Sequence, residues 1–322
     1  LAMAEESSID DLFLYIEHAD DERLDDFRVW PPRKPRQRTH EGSRSASDRV
    51  LADGEEAVLR FLESRFVVDK VLIQPTMVTG ARQILTQRHA NRTASGSAEH
   101  LGSGPSMVMV CDASLLEEVT GVVVAARDHL AFAIGWHPPM NVAEPVSTDG
   151  SAVLTPIGSA LTMVDEPLRL LVLDRLTDAA NVGGLLRLAA SFGVTAVLCS
   201  SDCCDPLHPK AIRSSLGQAF HMPAIRGDLP EMLRYLQTRQ VLTAAAVVQE
   251  GARFLDEVQS LPRRWALVLG SEHFGVSTAA REACDLLLKV RMAPGVDSLN
   301  VAVSAGVLLH GCTEREARGG NC

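Results

Sequence analysis

Five short apolar runs in the second half of the chain most constrain its fold: LRLLVLD (168–174), TAVLCS (195–200), VLTAAAVV (241–248), WALVLGS (265–271) and LLLKVRM (286–292). None alternates apolar with polar residues, so none offers a face to water. Strands buried on both faces belong to parallel sheets covered by helices. Stretches with apolar residues at helical spacing fill the gaps, over 182–192, Leu229–Thr238 and 278–284, and a last helix runs from about 299 to 310. This alternation predicts an α/β domain with a mainly parallel sheet over 168–322.

At 322 residues the chain has room for a second core upstream. A helical pattern begins at Asp53, with Ala57, Val58, Phe61 and Leu62 on one face. Strands are expected at 70–75, 107–111 and 122–126, a helix at 115–119, and a Ser/Gly-rich loop at 91–106. Residues 50–139 thus read as a small α/β domain, and 140–167 as a linker with room for one short element.

Residues 1–49 read as an arm. Its first 27 residues hold ten acidic side chains and one basic one, with a short helix near 9–18. Arg28, Arg33, Lys34, Arg36, Arg38, Arg44 and Arg49 follow. Such a run either tracks phosphates or is a solvated linker, and the formal net charge of −10 puts the weight on local patches.

No apolar run approaches the roughly 20 residues that span a bilayer, so no membrane association is expected. The opening LAMAEESSIDD lacks the basic-then-apolar pattern of a signal or transit peptide. The seven cysteines include no CxxC pair. That usage fits a reducing, cytoplasmic setting better than a disulfide framework. Cys203 and Cys204, with His208 and His221 nearby, invite a metal reading, but adjacent cysteines lack structural-zinc spacing. Buried or loop thiols are the expectation, and no metal.

The first strand of the second domain is followed by RLTDAANVGG, with no GxGxxG turn, and the chain has no GxxxxGK[ST] or GxSxG. Dinucleotide oxidoreductases, P-loop NTPases and α/β-hydrolases are therefore disfavoured.

Three segments carry chemistry. In LDRLTDAANVGGLLRLAASFGV (173–194), Asn181 stands at a helix mouth, and Gly183-Gly184 costs helix stability unless something packs on the backbone. Arg187 is the one charge in an apolar run; it marks either a function or a solvent-facing position. In WALVLGSEHFGVS (265–277), Glu272 follows a strand, where open α/β sheets bind ligands or where a carboxylate simply starts a helix. In VRMAPGVDSLNVAVSAGVLLH (290–310), Ser298 reads as an N-cap with Leu299 and Asn300 in the first turn; these hold a ligand or merely cap a helix.

Taken in order, the three segments resemble the motifs of the SpoU (TrmH-like) branch of the SPOUT RNA methyltransferases: D…D..N.G...R.A...G, then LG.E..G, then a loop ending SLNV. Lys210-AIRSSLGQAFHMP, between the first two, also looks like a family segment, and residues 50–75 and 111–127 resemble more loosely the family's small substrate-binding domain. One departure is Val290-Arg291-Met292, where the family usually has Ile-Pro-Met.

The resemblance implies a C-terminal parallel sheet tied in a trefoil knot, a homodimer, and transfer of a methyl group from S-adenosylmethionine to a ribose 2′-hydroxyl in tRNA or rRNA. By residue-by-residue carry-over, Asn181, Arg187, Glu272, Ser298 and Asn300 form the catalytic site. Ala246, Gly270, Val290 and Leu299 mark the loops that hold the cofactor. The dimer would use the helices starting at Asn181 and Leu299, with Leu186, Val301, Leu308 and Leu309 as apolar surface. The alternative is an RNA-binding protein of the same fold without catalysis.

Overall fold

The structure, a computed structural model, describes residues 9–28, 30, 49–95, 104–123, 130–136, 158–163, 165–295 and 298–319. It divides into two compact units, Leu1–Met140 with Leu207–Phe220, and Asn141–Pro206 with His221–Cys322.

The first unit runs through β1 (Phe13–Tyr15), β2 (Arg49–Asp53), α1 (Glu55–Glu63), β3 (Val67–Ile73), α2 (Val78–Ser95), β4 (Met107–Val110), α3 (Ala113–Thr120) and β5 (Ala131–Trp136). Its five-stranded sheet has the order β1-β4-β3-β5-β2, parallel between β1, β4 and β3 and antiparallel at β5 and β2.

Several expectations are corrected here. The acidic arm does not form a helix over 9–18. A 3-10 turn at Ile9–Leu12 leads into β1, and Phe13, Ile16, Leu24 and Phe27 are buried. Apolar side chains spaced along the acidic arm drive this docking. Of the strand expected at 122–126, residues 122 and 123 form none and the rest lie outside the described residues; the strand that pairs with β3 and β2 is β5. The predicted 91–106 loop is shorter, because α2 runs on to Ser95.

Most of the basic stretch lies outside the described residues. Its two ends are neutralised by the acidic arm: Arg28 pairs with Asp25 at 2.8 Å and Arg49 with Asp26 at 3.0 Å. The helix Pro209–Ser214 also belongs to this unit, where Phe220 stacks on Phe61 with ring centroids 4.4 Å apart.

The second unit contains α4 (Gly158–Thr162), β6 (Leu168–Asp174), α5 (Ala179–Ser191), β7 (Ala196–Ser200), β8 (Ala224–Gly227), α7 (Leu229–Thr238), β9 (Leu242–Ala246), β10 (Arg253–Phe254), β11 (Arg264–Gly270), α8 (Thr278–Glu282), β12 (Leu286–Lys289) and α9 (Val301–Gly319); α6 is the Pro209–Ser214 helix of the first unit. Its seven strands are all parallel in the order β10-β12-β9-β11-β6-β7-β8. The chain therefore lays β6, β7 and β8 outward, then inserts β11 between β6 and β9, and β12 between β9 and β10. On one face Leu170, Val172, Ala266 and Val268 pack with Met232 and Leu233 of α7. On the other, α5 and α9 pack together.

Helix α9 reaches Gly319, well beyond the expected end near 310. Its last turns are anchored by Glu316, which accepts hydrogen bonds from Arg169 Nε at 2.8 Å, Arg169 Nη2 at 3.0 Å and Trp265 Nε1 at 2.8 Å. The Cys203 thiol is buried and tied to the loop after β6: it accepts the Leu176 N–H and donates to the Leu173 carbonyl, both at 3.3 Å.

Candidate active site

The site lies at the carboxyl ends of β9, β11 and β12, where open parallel sheets take ligands. A cleft of about 350 Å³ opens there, lined by residues 246–249, 269–276, 288–290, Met292, Ser298 and Leu299. That volume falls within the range of small-molecule sites. All four residues expected to hold the cofactor, Ala246, Gly270, Val290 and Leu299, line it, as do Glu272 and Ser298.

Gly270 is dictated by geometry. A Cβ there would sit 2.0 Å from the Gly275 carbonyl carbon. The backbone folds back on itself at this point: Ser271 and Gly275 form an antiparallel bridge, and the Gly275 N–H donates to the Ser271 carbonyl at 2.8 Å. Gly275 closes the turn at φ +62°, a conformation that favours glycine. The turn is pinned from below by buried Asp174, whose Oδ2 accepts the Ser277 N–H at 2.6 Å.

Helix α5 begins at the cap Asp178, whose Oδ1 accepts the N–H groups of Ala180 at 2.8 Å and Asn181 at 3.0 Å. Asn181 Nδ2 donates to Glu272 Oε1, and Asn300 Nδ2 donates to Asn181 Oδ1 at 3.5 Å. Three of the five proposed catalytic residues are therefore joined in a chain of side-chain hydrogen bonds, contributed by three separate segments. The α9 cap is corrected: Asn300, not Ser298, caps the helix, accepting the Ala302 N–H at 2.9 Å. Ser298 is exposed on the cleft wall and, among the described residues, has no side-chain partner.

Arg187 does not join this cluster within one chain. Six residues at 3.6 per turn separate it from Asn181 by about 240° around α5. Its side chain is exposed, with no partner among the described residues. At Gly184 a methyl group would meet Ala302 Cβ of α9 at 3.7 Å, an ordinary contact, so the close approach of α9 does not itself require a glycine there.

The residues named as dimer surface are also corrected. Leu186, Val301, Leu308 and Leu309 are 0–7% exposed, because they form the α5–α9 core. The apolar residues left open on this face are Leu299, Val303 and Val307, at 37%, 54% and 42%. Val303 and Val307, four residues apart, share one face of α9, and Leu299 lies just before its cap.

Arg291, standing where the family usually has Pro, is fixed by other means. Its guanidinium lies over the Phe254 ring at 3.9 Å and pairs with Asp256 at 3.1 Å and Glu257 at 3.4 Å. The Arg291 hydrogen bond holds the Asp256 carboxyl below its usual range, so the clamp persists at neutral pH and fails only as pH falls through that lowered value. Val290 and Met292 on either side line the cleft. Arg291→Ala should therefore weaken cofactor binding modestly, by up to about fivefold, with a smaller difference at high salt. Calorimetric titration of S-adenosylmethionine at two salt concentrations checks this, and a loss that grows with salt would contradict it.

Sequence reasoning missed the cleft residues Gln249, His273, Phe274 and Arg281. Arg281 Nη1 donates to Gln249 Oε1 at 2.6 Å across the cleft wall. The signal available was polar or aromatic residues placed immediately after buried strands.

The fold and site define an α/β protein with a seven-stranded parallel sheet and a small-molecule cleft at its carboxyl edge, rimmed by a hydrogen-bond chain that runs from Asn300 through Asn181 to Glu272. Residues 169–310 match the model of the SpoU rRNA Methylase family. A 192-residue match, 34% identical, covers 59% of this chain and 72% of the 23S rRNA (guanosine-2′-O-)-methyltransferase RlmB of Nitrosomonas europaea. The chain belongs to the SpoU rRNA methylase family. The 23S rRNA (guanosine(2553)-2′-O)-methyltransferase RlmP of Bacillus subtilis is 34% identical over 142 residues, 44% of this chain. For that protein and another curated relative, the match spans about half of the relative's length, 56% and 51%. The SpoU methyltransferase AviRb of Streptomyces viridochromogenes, solved in complex with AdoMet, shares the fold at a TM-score of 0.60 and 20% identity, over 87% of this chain and 94% of that one.

Proposed function

We propose that this chain transfers a methyl group from S-adenosylmethionine to a ribose 2′-hydroxyl of ribosomal or transfer RNA, in the cytoplasm. The observation that carries the reading is the cleft formed by three loops at the ends of β9, β11 and β12, joined through Glu272 to Asn181 and Asn300. The cleft suits the cofactor: its wall combines apolar side chains with the backbone of a tight turn that no Cβ obstructs, so a glycine-rich dinucleotide loop is unnecessary. When bound, the cofactor supplies an electrophilic methyl on a sulfonium.

The remaining tasks fall to the protein: to place the 2′-oxygen in line and to stabilise the charge it develops. Asn181, itself held by Asn300, fixes the Glu272 carboxylate, and with it the turn that walls the cleft. Ser298, which also lines the cleft, offers a hydroxyl. Arg187, with a pKa above about 12, is a poor base. Clamping a phosphate and stabilising the alkoxide suit it better.

Its place on the far side of α5 from Asn181 supports a site completed by a second copy of the chain. Exposed Leu299, Val303 and Val307, at and after the start of α9, supply apolar surface for a homodimer. A trefoil path belongs to the same reading, since β11 and β12 each insert between strands laid down by other parts of the chain.

The test is calorimetric titration with S-adenosylmethionine, with and without chelator, followed by labelled methyl transfer to RNA. Chelator-insensitive binding and label in RNA are expected. Absent binding, or binding that the chelator abolishes, would overturn the proposal.

A further inference from the structure

Phe274 is 79% exposed, on the most constrained turn of the site. Two features hold that turn rigid beneath the ring. Gly270 packs against the Gly275 backbone with no room for a Cβ, and the Phe274 N–H donates to Ser271 Oγ at 3.2 Å. One exposed ring is ordinary by itself; what sets this one apart is the rigid turn that carries it and the fixed guanidinium beside it.

Arg175 covers part of the ring, with its guanidinium carbon 5.9 Å from the centroid. Arg175 is itself fixed. It sits at φ +56°, its N–H donates to Ser200 Oγ at 2.9 Å, its Nη2 donates to the Gly275 carbonyl at 3.4 Å, and its Nε lies 3.6 Å from the buried Asp174 carboxylate. Phe274 thus lines the cleft two residues along the turn from Glu272, with the Arg175 guanidinium beside its ring.

We infer that Phe274 and Arg175 form a stacking subsite for a nucleobase of the RNA nucleotide that enters the cleft. The inference rests on the proposed RNA methylation. An aromatic ring backed by a guanidinium is the combination that binds unstacked bases, the ring through its π-face and the cation through the ring and the adjoining phosphate. Every base has a π-face, so the subsite adds affinity without choosing among bases. Stacking one base holds its nucleotide beside the Asn181–Glu272 cluster, where the ribose must lie.

The test compares the wild-type chain with Phe274→Ala and Phe274→Trp. Filter binding measures affinity for an unmodified pool of ribosomal and transfer RNA, and calorimetry measures affinity for S-adenosylmethionine. Phe274→Ala should weaken RNA binding roughly 5- to 100-fold, as base–aromatic stacking predicts, while Phe274→Trp stays within about threefold of wild type. Phe274 also lines the cleft, so cofactor affinity should fall at most slightly, far less than RNA affinity, in Phe274→Ala. Equal RNA affinity in Phe274→Ala and wild type overturns the subsite. So does a parallel loss of cofactor affinity, which would assign the ring to the cofactor. A wild-type chain that binds RNA through Phe274 yet transfers no methyl would leave the subsite standing and remove the proposed activity.

Discussion

Arg187→Ala should depress methyl transfer by roughly 10²–10³ while sparing the fold and cofactor affinity, the loss expected when a group that stabilises developing charge is removed. The side chain is exposed and has no partner among the described residues, so its removal breaks no internal contact. Lys at this position should restore little, because a point charge lacks the planar fork that clamps phosphate and oxygen together.

The geometry adds a sharper expectation. Asn181 and Arg187 lie about 240° apart on one helix, so they meet only if two chains share a site. Mixing Arg187→Ala chains with Asn181→Ala chains should then restore roughly a quarter of the activity, since half the dimers are mixed and each mixed dimer has one intact site. No recovery would place Arg187 in its own chain's site. Near-normal turnover in Arg187→Ala would remove it from the chemistry altogether.

The second large effect concerns stability. Glu316→Ala should cost about 3 kcal/mol of unfolding free energy, because it leaves Arg169 and the buried Trp265 N–H without their acceptor. The Glu316 side chain is 7% exposed and that of Arg169 is 27%, so screening of the pair is incomplete. Glu316→Gln keeps an acceptor oxygen and should lose less, about 1–2 kcal/mol. The urea midpoint of the unit containing α9 reports both, followed separately from the first unit because two units need not unfold together. A loss below about 1 kcal/mol for Glu316→Ala would reduce the pair to a surface interaction.

The sequence was informative where local chemistry decides structure. Helix α7 was read at its true limits, Leu229–Thr238, because Asp228 caps it and its apolar residues keep one face. The strands of the large sheet were legible because burial on both faces leaves continuous apolar runs. What escaped was set by distant partners. Strand β2 holds only Arg49–Asp53, at the end of a basic stretch, and is specified by pairing with the distant β5, from Arg49 with Trp136 to Asp53 with Phe132. Glu316 reads as one charge in a polar helix end; only Arg169 and Trp265, at sequence distances of 147 and 51, explain its burial.

The candidate site divides the same way. Gly270, Glu272 and Asn181 stood out by their positions after strands and at a helix mouth. Ser298 and Asn300 are both cap formers two residues apart, and only the Asn300 contact with the Ala302 N–H chooses between them. Leu186, Val301, Leu308 and Leu309 looked like interface because apolar residues on two helices do not reveal that the helices face each other. Phe274 passed unnoticed inside the GSEHFG segment, because exposure of a single aromatic is a property of the folded turn.

The most direct test of the central claim is alkaline hydrolysis of RNA labelled by this chain with methyl-tritiated S-adenosylmethionine. A 2′-O-methyl group blocks attack of that oxygen on the adjoining phosphate, so the label should appear in alkali-resistant dinucleotides. Label released in mononucleotides would mean methylation of a base, and no label in either ribosomal or transfer RNA would mean no RNA methylation at all; either result contradicts the account.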